Sequence, residues 1–143
     1  MHSTKLLAAG LLALASAAHA APAQYELADF SSEALMNQER ATAIWKAQVD
    51  DKLRARLQKL YPVSKWAFIS LVSGGFTPDK TCVVTANVMM VPRTLGNRMA
   101  FQPYKAATTF ASQAGASREQ CRELAEAKLS EAIVAMGTSL ISP

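Results

Sequence analysis

Two cysteines and two histidines carry the most distinctive side-chain chemistry of this chain. The cysteines are Cys82 and Cys121, and both histidines, His2 and His19, lie within the first twenty residues. A chain that loses those twenty residues has no histidine, so it cannot form Ser-His or Cys-His catalytic pairs or a zinc site that contains histidine. If the two cysteines are bonded to each other, thiol catalysis and cysteine–zinc sites are excluded as well.

A hydrolase that uses lysine or carboxylates is the enzyme class that remains open. Lys65 with Ser64 or Ser70 could form a Ser-Lys pair, but the sequence contains neither an S-x-x-K nor a G-x-S-x-G motif. Asp50 and Asp51 are adjacent on a predicted helix, where consecutive side chains point apart, so they do not form the facing carboxylates of a glycosidase. We therefore predict a protein without catalytic residues and keep the hydrolase as an alternative.

Three methionines near one predicted turn raise the question of copper binding, because thioethers bind Cu(I). Met89 and Met90 are consecutive residues of a predicted strand and point to opposite faces, whereas Met99 follows the turn. Met89 and Met90 therefore could not bind the same ion unless the strand were distorted. Methionine as a packing residue explains the pattern better, and we predict neither a metal site nor a cofactor.

The first twenty residues have the pattern of a secretory signal peptide. Lys5 supplies a positive start, Leu6–Ala15 is an uninterrupted apolar run, and the segment ends in AHA, a small-x-small cleavage pattern. We predict cleavage between Ala20 and Ala21 and a periplasmic or secreted protein. The apolar run is too short to be a membrane span, which needs roughly 20 residues. We predict that residues 21–143 form a single small domain without a transmembrane segment.

The net charge of the chain after this cleavage is small. Loss of Lys5 leaves fourteen Lys and Arg residues against eleven Asp and Glu, a formal charge of +3. Such a charge is not the basic footprint of a nucleic-acid-binding domain, so we predict no nucleic-acid partner.

The apolar pattern predicts an α+β fold with two helices and three strands. Apolar residues recur every four positions from Trp45 to Leu57, and Pro62 ends that helix. Pro103 cannot donate to a ladder, which places the third strand at a sheet edge or gives it a bulge. We expect a long N-terminal helix, a three-stranded antiparallel meander, and a C-terminal helix packed on the sheet and tied by one disulfide. The predicted elements are a helix from Ser31 to Tyr61, strands at Val63–Ser73, Cys82–Val91 and Met99–Phe110, and a helix that Ser117 caps and Gly137 ends.

The predicted disulfide joins Cys82 to Cys121. Cys82 opens the second strand, and Cys121 lies in the first turn of the C-terminal helix. If the second and third strands are antiparallel neighbours, a short loop after the third strand brings Cys121 near Cys82. Exported proteins retain disulfides, and the alternative is a pair of buried free thiols.

The predicted sheet has one clear core face. In the second strand Val84, Ala86, Val88 and Met90 are all apolar, whereas the alternate positions, which include Asn87, are mixed. The first strand is apolar on both sides. Either one helix covers each side of the sheet, or one side is left for a partner.

The residues predicted to bind a partner combine aromatic side chains with a basic turn, because aromatic residues and arginine are enriched at interfaces. Arg93 and Arg98 bracket one turn, and Lys105 lies on the strand that follows, so a basic end of the sheet is predicted. Such an end could meet an acidic protein, an anionic lipid or a cell-wall polymer. The predicted partner-binding residues are Trp66, Phe68, Asn87, Arg93, Arg98 and Lys105.

The order of a helix, a strand that opens on Cys82 and a helix that opens on Cys121 resembles the C-terminal domain of the periplasmic TolA proteins. An extra leading strand and the lack of a strand after the last helix differ from that domain, and we assign no family. The leading hypothesis is an exported, non-catalytic protein that binds a protein partner in the cell envelope or medium, as an inhibitor or immunity-type protein. A carrier of a lipid or small apolar ligand is an alternative, as is the hydrolase.

The cleavage prediction is tested by the mass of the protein recovered from cells that produce it naturally. We expect the N-terminus to be Ala21, because the AHA pattern precedes it. Intact-mass spectrometry gives the result directly, and a mass that includes Met1–Ala20 would contradict the prediction.

Overall fold

The computed structural model describes residues 23–96 and 98–142, so the predicted signal peptide and its cleavage site lie outside the described residues. The strands form one sheet in the order β1-β2-β3-β4. β1 is parallel to β2, whereas β2, β3 and β4 are antiparallel neighbours, which makes the fold α+β with a mixed sheet. The elements are β1 (Leu27–Asp29), α1 (Gln38–Gln48), α2 (Asp51–Leu60), β2 (Trp66–Phe76), β3 (Thr81–Pro92), β4 (Lys105–Ala114) and α3 (Arg118–Ile141).

The prediction of a three-stranded sheet is wrong, because β1 adds a fourth strand. Hydrogen bonds of the Ser31 and Ser70 hydroxyl groups connect β1 and the residues after it to β2. Ser31 and Ser70 both donate to Asp29 Oδ1, at 2.7 and 2.6 Å, and the amide of Val72 donates to Ser31 Oγ at 2.8 Å. Ser31 therefore extends the pairing of β1 along β2 and does not begin a helix as predicted.

The predicted long N-terminal helix is also wrong, since the segment forms two helices, α1 and α2. Asn37 caps α1, because its side chain accepts a hydrogen bond from the amide of Arg40 at 2.8 Å. Asp50 caps α2 in the same way, by accepting from the amide of Leu53 at 2.7 Å. The extended backbone of Asp50 thus separates two helices that share one apolar stripe in the sequence.

β2 and β4 are both displaced from their predicted bounds. β2 continues beyond its predicted end at Ser73 through Gly74 and Gly75, and these two residues pair with Val84 and Val83. A Cβ at Gly74, where φ is +140°, would lie 2.0 Å from the carbonyl oxygen of Val83, so this position requires glycine. β4 begins only after Pro103, which has no amide hydrogen to give to the ladder.

α3 begins where the sequence predicts and ends later. The amide of Gln120 donates to Ser117 Oγ at 3.1 Å, which confirms that Ser117 caps the helix, and the amide of Ser117 donates to Gln120 Oε1 at 2.8 Å, which completes a capping box. The predicted end at Gly137 is wrong, because the helix continues to Ile141. A Cβ at Gly137 would lie 3.2 Å from Leu53 Cδ2, so glycine lets α2 pack closely against α3.

The three helices in the described part of the chain pack on the same face of the sheet, where they form the main core with the even-numbered residues of β3. The predicted core face of this strand is confirmed. A smaller buried cluster on the other face contains no helix residue, and its members are Ala67, Ile69 and Val91. The β3 residues buried against the helices are Cys82, Val84, Ala86, Val88 and Met90.

The predicted disulfide between Cys82 and Cys121 is confirmed. Both cysteines are buried, and their Cα atoms are 5.7 Å apart. The bond joins the start of β3 to the first turn of α3, so it holds α3 across β3 and β4, on which that helix packs.

Replacement of both cysteines by alanine, Cys82→Ala with Cys121→Ala, tests how much this bond stabilises the fold. For a separation of 39 residues, the chain-entropy model predicts that the free energy of unfolding falls by about 4 kcal/mol. Denaturant unfolding of the oxidised wild type and of the variant measures the difference. Reduced wild type is the control, and a variant as stable as the oxidised protein would contradict the prediction.

Candidate binding surface

The sheet face opposite the helices, which we call the open face, carries no charged side chain among the described strand residues. Directly paired residues of neighbouring strands share a face, so the pairing of Ile69 with Met89 places one row of side chains there. The polar groups of the open face are hydroxyls and an amide. The open face consists of Ala28, alternate residues of β2 from Ala67 to Gly75, of β3 from Thr81 to Val91 and of β4 from Ala106 to Ala114, with Phe30 and Phe101 beside them.

Several large apolar side chains on the open face are exposed to solvent, although Ile69 and Val91 on the same face are buried. Phe110, in the middle of β4, is 80% exposed, and Leu71 and Val83 on the two central strands are also exposed. Phe30 continues the alternation of β1, and its ring centre lies 5.6 Å from that of Phe101, which is 71% exposed. Single exposed apolar residues are ordinary, but several on one uncharged face form a patch that is typical of an interaction surface.

Asn87 is the central polar residue of the open face and has one unused hydrogen-bonding group. Its Nδ2 donates to Thr108 Oγ1 at 2.8 Å, whereas its Oδ1 is buried and has no donor among the described residues. A buried acceptor without a donor costs on the order of 1–3 kcal/mol. A partner that covers this part of the open face would bury the exposed Leu71, which lies directly opposite Asn87 on β2.

The two predicted aromatic residues lie on the helix side of the sheet and not on the open face. Phe68 is 2% exposed and packs in the core, with ring-centre distances of 5.0 Å to Tyr25 and 4.9 Å to Trp45. A partner cannot reach the Phe68 side chain in the folded protein. Trp66 is partly buried at the end of the sheet, where its ring centre lies 5.0 Å from that of Tyr104.

The three predicted cations do not form a common basic surface. Arg93 is only 15% exposed, and its Nη2 lies 3.0 Å from Glu26 Oε2. Lys105 Nζ donates to the carbonyl oxygen of Ser139 at 2.6 Å, on the helix side. Arg98 is exposed. Two of the three cations are therefore engaged within the protein, and Asn87 is the one predicted residue that belongs to the open face.

The exposed aromatic residues of the open face were not among the predicted site residues. Phe30 lies in a lead-in without sustained periodicity, and Phe101 and Phe110 lie in a predicted strand whose true start is six residues later. The sequence does carry one usable signal. Residues 106–114 contain no charge and no proline, which is unusual for an edge strand.

A small pocket lies between the chain before β1, the end of α1 and the start of α2. Its volume is about 100 Å³, and Tyr25, Trp45 and Phe68 contribute aromatic rings to its wall. Burial raises the pKa of Tyr25 to about 12, and Trp45 Nε1 is buried without a described acceptor. Pockets for drug-sized ligands measure about 300–1,000 Å³, so this pocket is too small for a lipid.

Three of the residues considered for hydrolysis have structural roles, whereas Ser64 and Lys65 are exposed. Ser70 is fully buried and donates to Asp29, so its hydroxyl is not available to a substrate. Asp50 caps α2, and Asp51 Oδ1 lies 2.7 Å from Arg54 Nη1. Within residues 23–96 and 98–142, no three His, Cys, Asp or Glu side chains lie close enough together to hold a metal ion.

No protein-family model matches the chain, and no curated protein matches its sequence. Among solved structures, the chain is similar to a minor lipoprotein from Acinetobacter baumannii, with 10% identity, a TM-score of 0.44, and coverage of 80% of this chain and 91% of that one. It is also similar to PelC, solved as a dodecamer from Paraburkholderia phytofirmans, with 12% identity, a TM-score of 0.39, and coverage of 78% of this chain and 87% of that one. At these values the similarities carry no argument about function.

None of the helices in the described part of the chain combines the length and the apolar character needed to cross a bilayer.

Proposed function

We propose that this chain is an exported, non-catalytic protein that binds a protein partner through the open face. The observation that carries the proposal is an uncharged sheet face on which Phe30, Leu71, Val83, Phe101 and Phe110 are exposed. The signal-peptide pattern of the first twenty residues supports export. An inhibitor or immunity-type protein would act by such a contact.

The composition of the open face favours a protein partner over a lipid headgroup or a nucleic acid. Phosphate-bearing partners are bound through lysine and arginine, and the described strand residues of this face include neither. The buried centres of protein interfaces are instead depleted in charge and enriched in aromatic residues. Each large apolar side chain that becomes fully buried contributes about 1.5–3 kcal/mol, so a few phenylalanines supply substantial binding energy.

The carrier hypothesis has less support. The pocket beside Trp45 measures about 100 Å³, and it suits a ligand of a few heavy atoms. A second pocket between α1 and α3 measures about 360 Å³, but Arg40, Glu123 and Glu126 line it, and these charged side chains do not suit an apolar ligand.

The hydrolase hypothesis loses Ser70, which is buried, and Asp50, which caps a helix. Ser64 and Lys65 are exposed, but no catalytic motif accompanies them in the sequence. The protein-binding function therefore leads.

A capture experiment with charge variants tests the proposed function. The bait is the disulfide-bonded chain from Ala21, exposed to the envelope extract and culture medium of the cells that naturally produce it. We expect it to retain a stoichiometric protein partner, and a bait with Phe30→Glu and Leu71→Glu to lose that partner. Carboxylates at these positions would be desolvated at the interface, which is strongly unfavourable.

The matched control carries the same two added charges on the helix side, through Leu60→Glu and Val134→Glu. Both positions are exposed, so the control should fold and retain the partner. An Arg98→Glu bait tests the basic turn separately, and we expect it to retain the partner as well. Failure of the wild type to capture any protein, or equal loss by both glutamate pairs, would overturn the proposed function.

A further inference from the structure

The outer edge of β4 is an unpaired strand edge. β4 lies at the end of the sheet and pairs with β3 alone among the described strands. The amide of Gly115 donates to the carbonyl oxygen of Lys80, and these residues continue the β3–β4 register by one step. Hydrogen-bonded pairs alternate along an antiparallel ladder, so odd-numbered residues of β4 bond to β3. The backbone groups that point away from the sheet belong to Ala106, Thr108, Phe110, Ser112 and Ala114.

This edge lacks the features with which proteins usually prevent strand pairing. Edge strands are commonly protected by charged side chains, proline, bulges or short length. Residues 106–114 contain neither charge nor proline, and the register with β3 is uninterrupted over all ten residues of β4. The opposite edge differs, because β1 is only three residues long.

We propose that β4 pairs antiparallel with β4 of a second copy of this chain, about a two-fold axis at Phe110. Phe110 then faces Phe110 of the second copy, Thr108 faces Ser112, and Ala106 faces Ala114. Every residue with an outward-pointing backbone faces another such residue, so this register uses the free N–H and C=O groups of residues 106–114 completely.

The side-chain pairs in this register favour a second copy over an unrelated strand. Phe110 is 80% exposed and gains an aromatic cross-strand partner, and the hydroxyls of Thr108 and Ser112 lie opposite each other. The one charged residue of β4, Lys105, faces Gly115, so no like charges meet across the axis. The segment 106–114, which is uncharged and centred on its largest side chain, is therefore self-complementary.

The position of α3 is compatible with this pairing. α3 runs along β4 on the other side of the sheet, since Thr109 Oγ1 donates to the Lys128 carbonyl oxygen at 2.6 Å and Lys105 Nζ donates to that of Ser139. Neighbouring strands are about 4.8 Å apart, so two helices that each straddle β3 and β4 would lie about 10 Å apart. That distance is close to the 8–10 Å at which helices pack.

Paired lysine and glutamate substitutions test the register as well as the association. In a symmetric pair, Thr108→Lys with Ser112→Lys places lysine opposite lysine twice. Thr108→Lys with Ser112→Glu places lysine opposite glutamate twice, at the same two exposed positions. We expect concentration-dependent wild-type dimers in sedimentation equilibrium, at least tenfold weaker association of the lysine–lysine variant, and dimers of the lysine–glutamate variant.

A second measurement does not depend on added charge. Directly opposed residues of a hydrogen-bonded pair have Cα atoms about 5.5 Å apart, within disulfide range. Phe110→Cys should therefore form a covalent dimer on mild oxidation of a dilute sample. Leu95→Cys, at a fully exposed loop position, is the control and should remain monomeric under those conditions.

Circular dichroism verifies that each variant is folded before its mass is measured. A wild type that stays monomeric at every concentration would overturn the proposal, and the edge would then be open to a strand of another protein. Dimers that both charge variants form equally well would also overturn it, because the contact would lie elsewhere. The pairing of β4 with a second copy does not rest on the proposed function. Capture of a partner through Phe30 and Leu71 is a separate experiment from the measurement of dimer mass, so either proposal can fail alone.

Discussion

The disulfide between Cys82 and Cys121 is the constraint on which the layered arrangement of this protein depends. It joins the first turn of α3 to the start of β3, so the longest helix lies along β3 and β4. α1 and α2 both pack against α3, which brings the described helices to one side of the sheet. That side holds the main core. The other side and the outer edge of β4 are consequently left without a helix.

The two proposed contacts use these uncovered surfaces in different ways. The open face offers aromatic and aliphatic side chains, whereas the edge of β4 offers backbone hydrogen bonds. The lack of charge favours both contacts. No charged side chain has to be desolvated at the open face, and no like charges meet across the β4 edge. Charged residues lie instead on the helices, where Arg40 pairs with Glu126 and Lys128 with Glu131. Antiparallel pairing at β4 would join two open faces into one wider surface.

The parts of the fold that could be predicted from the sequence depend on strong local signals. The helix cap at Ser117, the alternation in β3 and the pairing of Cys82 with Cys121 each had a direct physical cause. The break at Asp50 was missed because the apolar stripe of the two helices is continuous in sequence, although an aspartate can cap a new helix. β1 was missed because Ser31 and Ser70 stabilise it through Asp29, a contact between distant parts of the chain.

The site was harder to predict than the fold, because exposure depends on which sheet face the helices cover. Amide-resolved hydrogen exchange of the disulfide-bonded protein at low and high concentration tests most directly whether the uncovered part of the sheet is a contact surface. The account predicts slow exchange of the Thr109 and Ala111 amides at both concentrations, since they bond to β3. It predicts that the Thr108, Phe110 and Ser112 amides slow at high concentration. Exchange of those three amides that stays fast at every concentration would contradict it.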